Sequence, residues 1–158
     1  MVKNDIDSLV SLRLDKSFLH IEHDIYLAVT YIAPENSPIH NMDNIDVFRQ
    51  IENDINLYRD LGQIIVTGDT NFRVGHKKDY IDCDRTLTSD DIYDIDIPLP
   101  RTSCHFTSNR FGDCLVDLSK SSNIHIVNGR LYQDKTIGKF TCMTYNGENV
   151  VHYLLIIM

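Results

Sequence analysis

The stretch Ile64-Ile65-Val66-Thr67-Gly68-Asp69-Thr70-Asn71 decides the fold. It begins with four β-branched residues, which is typical of a short buried strand, and polar residues follow where that strand ends. In open α/β sheets, ligands bind beyond the carboxyl ends of the strands. Asp69 and Asn71 are two residues apart, so on an extended chain their side chains point the same way. We therefore expect a carboxylate and an amide to face one site, although both residue types are also ordinary turn formers.

Strand-like and helix-like segments alternate on both sides of this stretch, which predicts an α/β domain. Before it, we expect a strand at Leu9–Leu14, a strand buried on both faces at Ile25–Ile32, and a helix over Met42–Leu61, where apolar residues recur three or four apart. After it, we expect a helix capped by Asn109, a strand at Ile124–Val127, and a hairpin made of Phe140–Tyr145, a turn at Asn146-Gly147, and Val150–Ile157.

The segment Phe72–Thr107 shows no period and is predicted to be a long connection with a solvated, acidic surface. A calcium loop at Asp82 and Asp84 is disfavoured, because the glycine turn and the final glutamate of an EF-hand are absent there. The aspartates of this segment are Asp79, Asp82, Asp84, Asp90, Asp91, Asp94 and Asp96.

Length and composition exclude several classes of protein. A chain of 158 residues predicts one domain, and its 42% of hydrophobic residues excludes disorder throughout. The net charge of −8 opposes tight, non-specific adhesion to a polyanion, without excluding a nuclease. No apolar run suits a membrane span or a signal peptide, so we expect an intracellular protein with no membrane partner, in the nucleus or the cytoplasm. Unpaired thiols are expected at Cys83, Cys104, Cys114 and Cys142.

Several short segments occur in an order that resembles the endonuclease/exonuclease/phosphatase superfamily. The resemblance is greatest to the endonuclease domain of LINE-like, non-LTR retrotransposon polyproteins, and it runs over nearly the whole chain. The segments that carry it are Val29–Pro34, Ile64–Gly75, Asn109–Gly112, Leu115–Leu118, Asn123–Arg130, Gly138–Thr141 and Val150–Leu155.

The resemblance implies a DNase I-like fold, a four-layered α/β/β/α sandwich of which residues 1–158 would be an incomplete domain. It also implies hydrolysis of phosphodiester bonds with Mg²⁺ or Mn²⁺, with DNA as a possible substrate. Asp69 would orient or deprotonate the attacking water, Asn71 would act beside it on the scissile phosphate, and Tyr31 would contact the phosphate. Losing one such group should cost orders of magnitude in rate.

The chain departs from the family pattern at several positions. The opening strands, with the metal-binding glutamate, are expected before Ser8, and the final strand, with a Ser-Asp-His motif, is expected after Met158. His152 stands where the family has an aspartate, either as an accidental replacement or as a compensating metal ligand or general base. His105 also stands where aspartate is usual, at a position without a catalytic role.

Two classes of function follow from these departures. One is a Mg²⁺-dependent DNA endonuclease whose activity is impaired or lost. The other is a degenerate, non-catalytic remnant that acts, if at all, by binding. The apolar end Leu154–Met158 further predicts an exposed strand edge and self-association. The remaining histidines, His20, His23, His40, His76 and His125, lack the spacing of metal ligands and are expected at the surface or in turns.

Overall fold

The fold is taken from a computed structural model that describes residues 8–34, 37, 43–81, 100–145 and 147–157. Its elements confirm a mixed α/β architecture. In chain order they are β1 (Leu9–Leu14), α1 (Lys16–Leu19), β2 (Asp24–Tyr31), α2 (Asp43–Tyr58), β3 (Gly62–Asp69), α3 (Arg110–Ser122), β4 (His125–Ile126), a 3₁₀ turn (Tyr132–Asp134), β5 (Cys142–Thr144), β6 (Gly147–Asn149) and β7 (His152–Ile156).

Five strands form one mixed sheet in the order β1-β2-β3-β7-β4. Strands β2 and β3 are parallel, as expected for two strands joined through a helix, and the other neighbours are antiparallel. Strands β5 and β6 form a separate two-stranded sheet. The carboxyl ends of β2 and β3 therefore lie side by side, where the decisive stretch was expected to deliver Asp69.

Helices α2 and α3 cover one face of the five-stranded sheet. Ala28, Val66 and Leu155 are neighbours across β2, β3 and β7, and all three are buried. Ile51 and Ile55 of α2 belong to the same apolar cluster, because the three- and four-residue spacing in this helix places them on one face. Four residues of α3 belong to the same cluster: Phe111, Leu115, Val116 and Leu118.

The opposite face of the sheet is more open, which corrects the prediction that β2 is buried on both sides. Val10, Val29 and Leu154 expose 51%, 39% and 37% of their surface. Along β2, buried Ala28 and Thr30 alternate with exposed Val29 and Tyr31, because successive side chains of a strand point to opposite faces. An apolar run alone did not reveal this difference between the faces.

The predicted hairpin is only partly correct. Strands β5 and β6 pair with Thr144 opposite Gly147, so Gly147 belongs to a strand rather than to the expected turn. Strand β7 does not continue this hairpin but pairs with β3 on one side and with β4 on the other. Asn128 extends that second pairing, since its amide donates to the His152 carbonyl (3.1 Å) and accepts from the Leu154 N–H (3.0 Å).

Strand β7 is thus an interior strand, and the expected open edge at its apolar sequence is wrong for the described residues. Self-association stays a prediction. The predicted strand at Ile124–Val127 forms only at His125–Ile126, while the expected strands β1 and β2 and the helices α2 and α3 are confirmed. Among the described residues, no helix has the length and apolar character needed to cross a membrane.

One aspartate of the segment Phe72–Thr107 corrects the prediction that this segment has a solvated, acidic surface. Asp79 is 1% exposed rather than solvated, and both of its carboxylate oxygens accept hydrogen bonds from buried Arg130. Its Oδ2 atom also accepts the Ile126 N–H at 2.9 Å. Asp82, Asp84, Asp90, Asp91, Asp94 and Asp96 lie outside the described residues, so the expectation of a solvated acidic surface is not addressed for them.

Candidate functional site

Three of the predicted site residues form a row across neighbouring strands. Tyr31 of β2 is the register partner of Asp69 of β3, which is in turn the partner of His152 of β7. Register partners share one face of a sheet, so the three side chains lie side by side on its more open face. Tyr31 is 53% exposed, and the side chains of Asp69 and His152 are 41% and 48% exposed. Solvent and a solute can reach all three groups.

The fourth predicted residue, Asn71, joins this row through Asp69. Its amide nitrogen donates to Asp69 Oδ1 at 3.2 Å and to the Ile32 carbonyl at 2.9 Å. An amide nitrogen carries two protons, so these two acceptors use both of them. Asn71 thereby holds the Asp69 carboxylate in place, whereas the family resemblance implies an asparagine that acts on the scissile phosphate.

The backbone after β3 adopts a turn that brings Asn71 back towards Asp69. Asn71 has φ 49°, in the left-handed region that asparagine tolerates better than most residues. Thr70 fixes the start of this turn, since its N–H and its hydroxyl both donate to the Val151 carbonyl, at 3.0 and 2.9 Å. The expected carboxylate–amide pair is therefore present, but through a turn rather than through two positions of one extended strand.

Asn109 ties the first turn of α3 to the same segment. Its side-chain oxygen accepts from Gly112 N–H, which caps the helix, and from Arg73 N–H, both at 2.9 Å. Its amide nitrogen donates to the Asn71 carbonyl at 3.2 Å. The cap predicted from sequence is confirmed, and it also anchors the turn that carries Asn71.

His152 is oriented by Thr141, a residue that the sequence analysis did not single out. The Thr141 carbonyl lies 3.1 Å from His152 Nδ1, and a carbonyl can only accept, so Nδ1 carries the proton. The Thr141 hydroxyl oxygen accepts the N–H groups of Val151 and His152, both at 3.0 Å. In the neutral ring, Nε2 then carries no proton and has a free lone pair. This Nε2 atom lies 3.9 Å from Oδ1 of Asp69.

Asp69 is the one carboxylate of this group of residues. His152 adds an imidazole, which suits transition metals, whereas Mg²⁺ prefers oxygen ligands. Within the described part of the chain, no three His, Cys, Asp or Glu side chains are grouped so that they could hold a metal ion.

The remaining predicted groups lie away from the row. Cys104, Cys114 and Cys142 are free thiols, as expected, and burial raises the pKa of Cys114. His125 is 3% exposed, which corrects its expected surface position: as a residue of β4 it pairs with Ile156. Cys83 and His40 lie outside the described residues.

Comparisons with models of protein families, with curated proteins and with solved structures gave no match to this chain.

Proposed function

We propose that this chain is an impaired phosphodiester hydrolase domain of the LINE-like retrotransposon endonuclease type, with a DNase I-like sandwich as its complete fold. One observation carries the proposal: Asp69, held by Asn71, lies between Tyr31 and His152 at the exposed ends of three neighbouring strands. A carboxylate, a phenol and an imidazole side by side are groups that can orient water and contact a phosphate.

Each residue has a distinct part in the proposed reaction. Asp69 accepts a proton from the attacking water or orients it, because its carboxylate is exposed and fixed at one oxygen by Asn71. Tyr31 donates a hydrogen bond from its phenolic hydroxyl to a phosphate oxygen. Asn71 is a positioning residue, since both of its amide protons are engaged within the protein. The water oxygen forms a new bond to phosphorus as one P–O ester bond breaks, the leaving oxygen takes a proton from solvent, and the cut leaves a phosphate on one end and a hydroxyl on the other.

His152 is one residue that impairs the proposed site. It replaces the aspartate of the family pattern, and its Nδ1 proton is committed to the Thr141 carbonyl. An aspartate at position 152 would place a second carboxylate beside Asp69. Hard cations such as Mg²⁺ prefer such oxygen ligands, and an imidazole does not supply one. The same replacement favours the second candidate, a non-catalytic remnant that binds DNA without cutting it.

A plasmid-nicking assay with Mg²⁺ or Mn²⁺ separates the two candidates. It compares the chain with Asp69→Asn, His152→Asp and the double variant, and uses Asp60→Asn as a matched control. Asp60 is an exposed carboxylate in the turn before β3, at the opposite end of that strand from Asp69.

We expect slow nicking by the unchanged chain, about tenfold faster nicking by His152→Asp, and a loss of about a hundredfold in both variants that lack the Asp69 carboxylate. Asp60→Asn should behave as the unchanged chain. Absence of nicking by both the unchanged chain and His152→Asp, or nicking that survives Asp69→Asn, would overturn the hydrolase proposal in favour of the remnant.

A further inference from the structure

The space between Asp69 and His152 is bounded by two hydrogen-bond acceptors. The Nε2 atom of His152 lies 3.9 Å from Oδ1 of Asp69, on a neighbouring strand and on the same face of the sheet. Among the described residues, Nε2 makes no hydrogen bond, and Oδ1 accepts one, from Asn71. Two acceptors that face each other without a donor between them are satisfied by water or by a cation.

His152 has the orientation of a metal-binding histidine. Its Nδ1 proton is held by the Thr141 carbonyl at 3.1 Å, so the lone pair of the neutral ring is on Nε2. Histidines that bind metals almost always donate their other ring N–H to a carbonyl, a carboxylate or water, because that hydrogen bond fixes the tautomer and the ring plane. The imidazole is therefore held in place before any ion arrives.

Asp69 is held in a comparable way. The Asn71 amide donates to Oδ1 at 3.2 Å, and a carboxylate oxygen has two lone pairs, so one of them stays available to an ion. Carboxylates that bind metals are themselves hydrogen-bonded in this manner. The side chains of Asp69 and His152 are 41% and 48% exposed, so a hydrated ion can reach both.

The distance between the two atoms suits one zinc ion. Zn²⁺ binds imidazole nitrogen at about 2.0–2.1 Å and carboxylate oxygen at about 2.0–2.2 Å, and the sum of these bond lengths exceeds 3.9 Å. A tetrahedral angle at the ion would set the two ligand atoms about 3.4 Å apart. Small rotations of these exposed side chains close that difference. Mg²⁺ takes oxygen ligands and keeps several of its waters, so it gains little from the imidazole.

The geometry points to a site for a divalent transition-metal ion, represented by Zn²⁺, between His152 Nε2 and Asp69 Oδ1. Water completes the coordination, since no third His, Cys, Asp or Glu side chain is grouped with the pair in the part of the chain that the structure describes. Two protein donors make an open site rather than a closed, structural one. The site shares its residues with the proposed hydrolase site, but binding of the ion does not require hydrolysis.

Isothermal titration calorimetry with Zn²⁺ tests the proposal on the chain after EDTA treatment and gel filtration, at about pH 7.5 because a metal-binding imidazole must be neutral. The variants are His152→Gln and Asp69→Asn. One control is His23→Gln, an exposed histidine just before β2, and the other is Cys142→Ser, which removes the free thiol next to Thr141. Circular dichroism confirms that each variant is folded.

We expect the unchanged chain to bind Zn²⁺, and both His152→Gln and Asp69→Asn to weaken this binding about tenfold or more, since even the loss of a group that only orients a ligand costs about that much. His23→Gln and Cys142→Ser should bind as the unchanged chain does. Mg²⁺ should displace Zn²⁺ only at a much higher concentration. Zn²⁺ affinity that is unchanged in either His152→Gln or Asp69→Asn would overturn the site, and equal affinity for Mg²⁺ would overturn its assignment to a transition metal.

The visible spectrum of bound Co²⁺ identifies the ligands independently of affinity. A site of imidazole, carboxylate and water should give Co²⁺ d–d bands that disappear in His152→Gln and persist in Cys142→Ser. A sulfur-to-cobalt charge-transfer band that is lost in Cys142→Ser would assign the ion to the thiol and refute the inference. Zn²⁺ binding without any nicking activity would uphold this inference while the proposed function fails, and nicking without Zn²⁺ binding would do the reverse, so the two failures are distinguishable.

Discussion

The Nε2 atom of His152 lies 3.9 Å from Oδ1 of Asp69, too far for a direct hydrogen bond. The two groups are nevertheless fixed, His152 by the Thr141 carbonyl and Asp69 by the Asn71 amide. When the His152 ring is neutral, Nε2 and Oδ1 are both hydrogen-bond acceptors. They attract each other only if Nε2 is protonated or a hydrogen-bond donor lies between them. This arrangement explains why the site presents acceptors to solvent rather than a closed ion pair.

Thr141 should be the residue on which the position of His152 depends. Thr141→Val removes the hydroxyl oxygen that accepts two N–H groups, those of Val151 and His152. We expect the free energy of unfolding to fall by about 1 kcal/mol, because the two N–H groups lose their partner within the protein and bind water instead. Thr141→Ser keeps the hydroxyl and should lose much less in urea denaturation. Equal losses in the two variants would contradict this account.

Asn71 should contribute to stability both by its amide and by its backbone conformation. Asn71→Gly removes the two hydrogen bonds of the amide but permits φ 49°, whereas Asn71→Ala removes them and adds a left-handed strain of about 1 kcal/mol. We therefore expect the alanine variant to be about 1 kcal/mol less stable than the glycine variant in urea denaturation. In the nicking assay both should be slower than the unchanged chain, since both release Asp69. Indistinguishable stabilities would show that the turn does not constrain this residue.

Local patterns predicted the elements that are stabilised by their own sequence. The spacing of apolar residues predicted α2, the cap at Asn109 predicted the start of α3, and β-branched runs predicted β2 and β3. The proximity of Asp69 and Asn71 followed from their separation by only two positions. These features depend on residues that are close in sequence, so a single chain suffices to find them.

Local patterns did not reveal contacts between residues that are far apart in the sequence. The pairing of β7 with β3 joins residues 83 to 91 positions apart in sequence, and the hairpin signal at Asn146-Gly147 competed with it. Asp79 was predicted to be solvated because its partner, Arg130, is 51 positions away. Thr141 carries no signal of its own, since a threonine beside a strand is common and only the hydrogen bonds of the folded chain show that it contacts His152.

Gly112 should tolerate no side chain, although it lies in a helix. A Cβ atom at this position would lie 2.0 Å from the Arg73 carbonyl oxygen, because the first turn of α3 packs directly on that backbone. Glycine-to-alanine changes in helices usually stabilise by about 1 kcal/mol, but here we expect a loss of about 1–3 kcal/mol from the clash. Asp117→Ala, at an exposed position of α3, is the control and should be nearly neutral. Thermal melting that shows Gly112→Ala to be more stable would refute the close approach.

The Asp79–Arg130 pair should be the most sensitive polar contact in the core. Arg130→Met leaves the Asp79 charge buried with one backbone donor, Ile126 N–H, and we expect a loss of about 3–5 kcal/mol. The double variant Asp79→Asn/Arg130→Met removes both charges and should be more stable than Arg130→Met alone. Denaturant titrations of Asp79→Asn, Arg130→Met and the double variant measure this coupling. A double variant whose loss equals the sum of the single losses would show that the two charges do not stabilise each other.

The same pair should make folding stability fall in acid. Burial raises the pKa of Asp79, but the hydrogen bonds from Arg130 and Ile126 N–H outweigh it and hold the pKa below the ordinary value of 3.8. A carboxylate with a lowered pKa stabilises the fold above its unfolded pKa, and that contribution is lost as the pH falls through its native value. We expect the unchanged chain to lose more unfolding free energy than Asp79→Asn/Arg130→Met between about pH 4 and pH 2. Other carboxyl groups are common to both proteins, so their titration cancels in the comparison, and parallel pH profiles would show that Asp79 is not held ionised by Arg130.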